Sequence, residues 1–436
     1  MKEEINKNNL LERLLRFMAS VILKKYHPRI IAVTGSVGKT SAKEAIFAVI
    51  AGHYFVRKSE KNYNNELGVP LTILGVESGE RSILKWLDIF FRWLILWIFP
   101  LKYPEILILE MGSDKPGDLK YLTDFVRPDI SVITEVASSH LKYFKNMDAI
   151  FREKATLAKA VDEKGLVILN IDNSHLLKLK NNFRQLGVNA RIFSFGFAEN
   201  ADARAMDVFL AKEMSGLSFK LNYRGTMMPL RLNNILAKHN IYAALAGVSV
   251  GIELGLNLVE IATSLENFIL PSGRTNLIKG IKNTSIIDDT YNSSSVISVE
   301  GALEILREFK QNRKVVVLGD ILEIDPVTEK EHRQVAKKFL EIEGDIFLAV
   351  GSRMKFATDE LRKHKFSGEI YEFSNPLDAG RKLQEILRSG DVVLVKGSQG
   401  MRMEKVVEEV MAEPQRAKEL LCRQNTEWKN TPWREI

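Results

Sequence analysis

Two successive open α/β sheets, each built mainly from parallel strands, are the fold class this chain predicts. Short apolar runs at residues 30–33, 106–109, 130–133 and 166–169 recur between stretches of helical periodicity, the rhythm of buried parallel strands joined by crossover helices. The alternation restarts after Pro271, Ser272 and Gly273, with runs at 286–287, 314–318, 346–350 and 392–395. The first apolar run also opens onto a glycine-rich turn that leads directly into a helical pattern.

A chain of 436 residues with 45% hydrophobic content can bury at least two ordinary cores. Residues 1–28 form an N-terminal amphipathic helix: Leu10, Leu11, Leu14, Leu15, Met18, Val21 and Ile22 fall at helical spacing, and Lys24 and Lys25 close the last turn. A central domain is expected over 29–273, with an apolar insert at 82–101. Within it, 191–232 loosens into alternating segments such as 217–221, bounded by Gly216 and Gly225, which suits hairpins, and a helix follows over 239–251. A C-terminal domain takes 274–411. The tail 412–436, with Trp428 and Trp433, reads as a helix plus a surface strap.

Composition excludes several functions. The single cysteine, Cys422, rules out an internal disulfide and a cysteine-rich zinc site, and agrees with a reducing cytoplasm. The 62 basic and 55 acidic residues are interleaved, so the net charge of +7 suits anionic small molecules or an anionic membrane surface and gives no nucleic-acid footprint. No short apolar core followed by a small-residue cleavage site is read at the N-terminus, so no secretory signal is expected. The second sheet lacks Gly-x-Gly-x-x-Gly after its first strand, which removes a nicotinamide or flavin reading.

The turn after the first strand reads Thr34, Gly35, Ser36, Val37, Gly38, Lys39, Thr40, with Ser41 already helical. Backbone N–H groups of such a turn cradle polyphosphate, a lysine bridges phosphate oxygens and a hydroxyl holds magnesium. Val33 stands where the strict motif has its first glycine, but the strand–turn–helix context is the one the chemistry demands. Glu110 follows the strand 106–109 and His140 the strand 130–133. Both are therefore expected at the carboxyl edge of the sheet, where ligands of such folds bind and where a magnesium nucleotide finds hard oxygen ligands. The fold class in full is α/β, a P-loop central domain with a parallel sheet and then a Rossmann-like C-terminal domain.

These residues resemble the Mur ligase family. The resemblance rests on 34–40, on Asn64, Asn65, Glu66, Leu67, Gly68, Val69 and Pro70, and on Glu110, Met111 and Gly112. It continues through Arg127-Pro128-Asp129, His140, Lys154, His239-Asn240, Gly273-Arg274, Asp288 to Asn292, Leu318 to Glu323 and Lys396-Gly397-Ser398, and spans about 30–410. Within the family the motifs are most similar to the branch that adds D-alanyl-D-alanine to a muramoyl-peptide precursor of peptidoglycan.

The resemblance implies an ATP-dependent amide ligase of cell-wall biosynthesis in the cytoplasm, which activates a carboxylate as an acyl phosphate with the help of Mg2+, two ions being expected. Gly35 to Ser41 would hold the ATP phosphates, with Lys39, Lys154 and His140 catalytic and Thr40 on the first magnesium. Glu110, His140 and Lys154, the last as a carbamate, would bind metal. Asn240 would meet adenine, Arg274 and Asp289 would reach phosphate and ribose, and Asn64, Asn65 and Glu66 would touch substrate. From the residues alone, 151–154 looks like a solvated helix face.

Departures bear on the substrate. The family's Tyr-Asn-Ala-Asn-Pro stands here as Tyr291, Asn292, Ser293, Ser294, Ser295; Ala243 and Gln399 replace an expected asparagine and arginine. Only residues 1–33 precede the loop region, and the chain is read as lacking the N-terminal domain that grips the UDP end of the substrate. Two further readings stay open: the same ligase chemistry on a non-UDP or lipid-linked acid, and a catalytically silent membrane-associated scaffold.

The insert carries Trp86, Trp93 and Trp97, with Lys85, Asp88 and Arg92 at helical spacing. It is too interrupted by charge to span a bilayer. It is expected either to lie on the inner membrane face or against a membrane protein through 83–99, all three tryptophans on one exposed platform bordered by Arg81, or to pack on the N-terminal helix.

Overall fold

The computed structural model describes the chain except residues 1, 61–62, 81, 138–142, 212–215, 294, 323, 325–326, 432 and 434–436; for 2–9 and 426–427 it describes the backbone alone. The chain divides into two compact units. The first comprises Met1–Val208, Phe219–Arg231 and Asn240–Phe268, the second Phe209–Ser218, Leu232–His239 and Ile269–Ile436.

A nine-stranded sheet runs through β1 (Arg29–Thr34), β2 (Val56–Lys58), β3 (Ile106–Glu110), β4 (Ile130–Ile133), β5 (Leu166–Asn170), β6 (Arg191–Gly196), β7 (Ala203–Leu210), β8 (Gly216–Tyr223) and β9 (Thr226–Asn233). Its spatial order is β2-β3-β1-β4-β5-β6-β7-β8-β9, and the pairs from β2 to β7 are parallel. Strands β3, β4 and β5 are buried along their whole length, because helices cover both faces; that is why their sequences are unbroken apolar runs. Between β8 and β9, Arg224 and Gly225 both take positive φ, 50° and 82°, as a two-residue hairpin turn requires.

Nine helices of the first unit are labelled here: α1 (Lys2–Tyr26), α2 (Lys39–Ile50), α3 (Gly68–Leu74), α4 (Ile83–Ile98), α5 (Asp118–Thr123), α6 (Met147–Lys159), α7 (Ser174–Asn181), α8 (Asn240–Glu253) and α9 (Leu258–Glu266). One core gathers Leu15, Met18 and Ile22 of α1, Ile89 and Trp93 of α4, and Leu107 and Leu109 of β3. The other face of the sheet is closed partly by α2 and α8. They approach so closely at Gly247 that a Cβ there would lie 2.9 Å from the Ala45 carbonyl oxygen.

The second unit holds β10 (Asn276–Gly280), β11 (Thr284–Asp289), β12 (Lys314–Gly319), β13 (Ile346–Val350), β14 (Glu369–Phe373) and β15 (Val392–Lys396), in the order β10-β11-β15-β12-β13-β14. Only the β10–β11 edge pair is antiparallel. Helices pack on both faces in two apolar layers, one around Leu303, Val316 and Phe339, the other around Val317, Leu383 and Val407. This is the doubly wound arrangement expected from the sequence.

The expected platform of three exposed tryptophans is corrected by the packing of α4. Trp93 is 7% exposed, and its Nε1–H donates to the Met18 carbonyl of α1 at 3.2 Å; Trp86 is half-buried and Trp97 is half exposed. A helix laid against α1 must turn one stripe inward, and the stripe includes Trp93. Arg81 lies outside the described residues. No helix among the described residues is long and apolar enough to cross a membrane.

Candidate active site

Register alone brings the first site residues together. Strand β1 lies between β3 and β4, with Val33 opposite Glu110 and Thr34 opposite Ile133, so the turn after β1, the end of β3 and the segment after β4 share one sheet edge. The turn is clamped from the β4 side. The Thr134 hydroxyl donates to the Val37 carbonyl at 2.6 Å, the Ser36 N–H to the Glu135 carbonyl at 2.8 Å, and the Ser36 hydroxyl to the Ala137 carbonyl at 2.9 Å. Gly35 fits this clamp only without a side chain, since a Cβ would stand 2.1 Å from Thr134 Oγ1. Gly38, at φ 82°, turns the chain into α2 in the left-handed region that glycine favours.

Helix α2 has Gly38 as its N-cap, a residue with no side chain to cap it. Its first-turn amides, with the positive end of the helix dipole behind them, therefore offer an anion site made by the fold. Lys39 Nζ curls back to the Gly35 carbonyl at 2.7 Å and so stays over the turn.

Beside the turn, Glu110 is 4% exposed and held from several sides. Thr40 Oγ1 lies 3.4 Å and Asn64 Nδ2 3.2 Å from its Oε1, Lys43 Nζ is 3.6 Å from Oε2, and its backbone N–H donates to Ser59 Oγ at 3.1 Å. A carboxylate beside a threonine hydroxyl at the head of a phosphate loop is the donor set that completes a magnesium site when phosphate oxygens fill the rest. Among the described residues no group of three His, Cys, Asp or Glu side chains is disposed to hold a metal by itself. The few protein oxygens here fit a cation brought in with a nucleotide.

Lys154 corrects the reading of 151–154 as a solvated face. On α6, Phe151, Glu153 and Lys154 all point inward, and Lys154 is 2% exposed. Its Nζ donates to Ser113 Oγ at 2.6 Å. Burial first and the Lys39 charge second push its pKa down to about 7, against the opposing pull of Glu153, Asp114 and Asp118. Glu153 accepts the N–H groups of Gly117 at 2.9 Å and Leu119 at 2.8 Å, which fixes the 112–118 turn that presents Ser113.

The other expected residues are placed as follows. Asn64 joins the Glu110 cluster through its side chain and through its carbonyl, which accepts the Gly112 N–H at 2.7 Å. Asn65 is exposed and uses Oδ1 on the Gly68 N–H at 2.9 Å, at the start of α3; Glu66 is half-buried. Ser41 is buried in the first turn of α2, and Val37 is exposed at the tip of the loop. Asn240 opens α8 and is buried. Arg274 and Asp289 belong to the second unit. There Asp289, opposite Lys396 in the β11–β15 register, pairs with its Nζ at 2.7 Å, and the Arg274 guanidinium lies 4.3 Å from the centre of the Tyr291 ring. His140 lies outside the described residues.

Sequence reading missed Lys43, Ser59, Ser113, Thr134 and Glu153. Lys43, 1% exposed on α2, was legible only as one more helix lysine, although its place four residues after Lys39 sets it on the same face.

Comparison with known proteins places the chain in a family. Residues 33–251 match the Mur ligase middle domain and 273–399 the Mur ligase glutamate ligase domain. Over 401 residues the chain is 27% identical to the UDP-N-acetylmuramoyl-tripeptide–D-alanyl-D-alanine ligase of Bacillus subtilis strain 168, covering 92% of this chain and 79% of that one. Crystal structures of MurF from Acinetobacter baumannii and of MurF from Thermotoga maritima in complex with ADP share the fold. Both have a TM-score of 0.75, at 24% and 23% identity, over 91% of this chain and 80% and 83% of theirs. With its middle domain matched over half of its length and a phosphate loop, a buried glutamate and a buried lysine gathered in that domain, the chain belongs to the Mur ligase family of ATP-dependent ligases.

Proposed function

We propose that the chain joins the amine of D-alanyl-D-alanine to the terminal carboxylate of a muramoyl tripeptide. The observation that carries the chemistry is the cluster of Lys39, Thr40, Glu110 and Lys154 around the N-terminus of α2. The substrate pair is supported by the relative with that activity, aligned over 92% of this chain.

The substrate carboxylate attacks the γ-phosphorus of ATP, the bond to the β-phosphate bridging oxygen breaks, and ADP leaves. The amine then attacks the acyl carbon, a tetrahedral adduct forms, and inorganic phosphate departs as the amide forms and the amine nitrogen loses its proton. Lys39 and the first-turn amides of α2 hold the transferring phosphoryl oxygens, and their fixed positive field stabilises the charge that develops there. Magnesium, when bound, neutralises phosphate charge and orients the oxygens. Thr40 and Glu110 are the residues here to hold a first ion, and Lys154 and His140 are assigned to a second.

For Lys154 that role needs a carbamate, formed when the neutral amine adds carbon dioxide and releases a proton. The low pKa supplies the neutral amine at physiological pH, and Ser113 stands as a hydroxyl partner for the new oxygens. Asn240, Arg274 and Asp289 are assigned to the nucleotide, and Asn64, Asn65 and Glu66 to substrate, on the family likeness. Incubation with ATP and magnesium, followed by mass measurement of the product, tests the substrate pair. The proposal expects a pentapeptide product from UDP-muramoyl tripeptide with D-alanyl-D-alanine. Amide formation only with a lipid-linked acid or a single amino acid would refute it.

A further inference from the structure

The ligase chemistry leaves the outer face of α4 unused. This helix buries Ile89 and Trp93, while Leu84, Leu87, Phe91, Ile95 and Ile98 on the opposite side are 46–78% exposed. Phe17 of α1 is also exposed beside α4, its ring 6.3 Å from that of Trp93. Contiguous apolar surface of this kind is rare on proteins that stay alone in water.

Two observations identify what covers it. The first is how α4 ends. Lys25 Nζ donates to the carbonyls of Leu96 and Trp97 at 2.8 Å each and of Phe99 at 2.7 Å, and the Tyr26 hydroxyl donates to the Leu96 carbonyl at 2.9 Å. Helix C-termini ordinarily leave such carbonyls to water. Here α1 closes those of Leu96, Trp97 and Phe99, so this end carries fewer stranded acceptors when it leaves water. That condition is imposed by a hydrocarbon layer, which brings no donors, and not by a protein partner, which brings its own. The second is charge. Lys85 and Arg92 run along one edge of α4, each beside an acid, Glu80 at 3.9 Å and Asp88 at 2.8 Å, and the cations Arg13 and Lys24, uncompensated among the described residues, are exposed on α1. An apolar helix face bordered by cations matches the boundary between anionic headgroups and acyl chains. The 16 residues of α4 extend about 24 Å, short of a ~30 Å hydrocarbon core, so the helix suits lying in the plane.

We propose that the outer face of α4, with α1 beside it, docks the enzyme on the surface of an anionic bilayer. The docking surface shares no residue with the phosphate loop, so it stands or falls separately from the ligase assignment.

The test is flotation of the full chain with vesicles of phosphatidylcholine containing roughly one phosphatidylglycerol in three, read also by quenching of tryptophan fluorescence with brominated acyl chains. Wild type is expected to float at low salt and to be released as salt rises. Leu84→Glu with Phe91→Glu is expected to lower partitioning at least about tenfold while ligase turnover is unchanged. Ile95→Glu, a single exposed change, gives the same direction with the fold checked by circular dichroism. Wild type that stays unbound at low salt overturns the proposal, as does a double variant that floats as well as wild type. So does a wild-type dimer, dispersed by the double variant, that shows no vesicle binding, since the surface would then be covered by a second copy.

Discussion

Lys154 donates a 2.6 Å hydrogen bond to the Ser113 hydroxyl, and both side chains are buried. The lysine is placed by Ser113 and by Glu153, which accepts the amides of Gly117 and Leu119. Glu153→Gln exchanges one acceptor oxygen for an NH2 that faces a backbone N–H. It is expected to cost about 1–3 kcal/mol of stability and to lower turnover, because the turn bearing Ser113 loses its anchor. Thermal denaturation together with phosphate release checks both effects; a variant unchanged in either would remove Glu153 from this role.

The lowered pKa of Lys154 has a definite sign in stability. Between about 7 and the usual lysine value the unfolded chain binds the proton that the folded chain has shed, so stability rises with pH across that window. Below about 7 both states are charged, and the cost of burying the ammonium is fully present. In buffer freed of carbon dioxide, Lys154→Met is therefore expected to melt higher than wild type near pH 6, by a margin that shrinks as pH climbs toward 10. A margin that grows with pH would contradict the placement of a buried, uncharged lysine.

The same neutral amine predicts a dependence on carbon dioxide. Turnover of protein purified and assayed in bicarbonate-depleted buffer is expected to fall and to recover on adding bicarbonate, while Lys154→Ala stays nearly inactive and is partly rescued by a small carboxylic acid. Full activity of Lys154→Ala would take the residue out of the mechanism.

Gly35→Ala probes the clamp. The added Cβ would sit 2.1 Å from Thr134 Oγ1 and 3.0 Å from the Glu135 backbone nitrogen, so the loop must move. An overpacking cost of about 1–3 kcal/mol is expected, with nucleotide affinity, read by calorimetry, reduced at least about tenfold. Wild-type affinity would show that the turn does not need its observed shape.

The two stacked tryptophans of α4, with ring centres 5.6 Å apart, should behave differently. Trp93→Ala opens a cavity between α1 and α4 and is expected to cost about 3–5 kcal/mol. Trp97→Ala removes a half-exposed ring and a stacking contact, for about 1 kcal/mol. Equal losses in chemical denaturation would mean that Trp93 is not core.

Much of this was legible from the sequence for one physical reason. Strands such as β3 and β5 are covered on both faces, so each appears as an unbroken apolar run, and the turn at Gly35 to Thr40 is marked by residues that only its geometry requires. Lys154 was not legible from the residues, because the charged run Arg152, Glu153, Lys154 ordinarily faces water and only the turn at 112–118 draws Glu153 and Lys154 inward. Trp93 was left open between an exposed platform and packing on the N-terminal helix, because its burial depends on α1, which is more than sixty residues away in the chain. The grouping of Phe209–Ser218 and Leu232–His239 with the second unit likewise has no local signal, since a strand end is patterned the same way whichever core it joins.

Phosphate release from ATP by the purified chain, with acid and amine supplied separately and together, tests the central claim most directly. The account expects release above background only when UDP-muramoyl tripeptide and D-alanyl-D-alanine are both present, one phosphate per amide formed, and its abolition in a folded Lys39→Ala protein. Release that ignores both substrates, or that survives in Lys39→Ala at the wild-type rate, would contradict a ligase built on this loop.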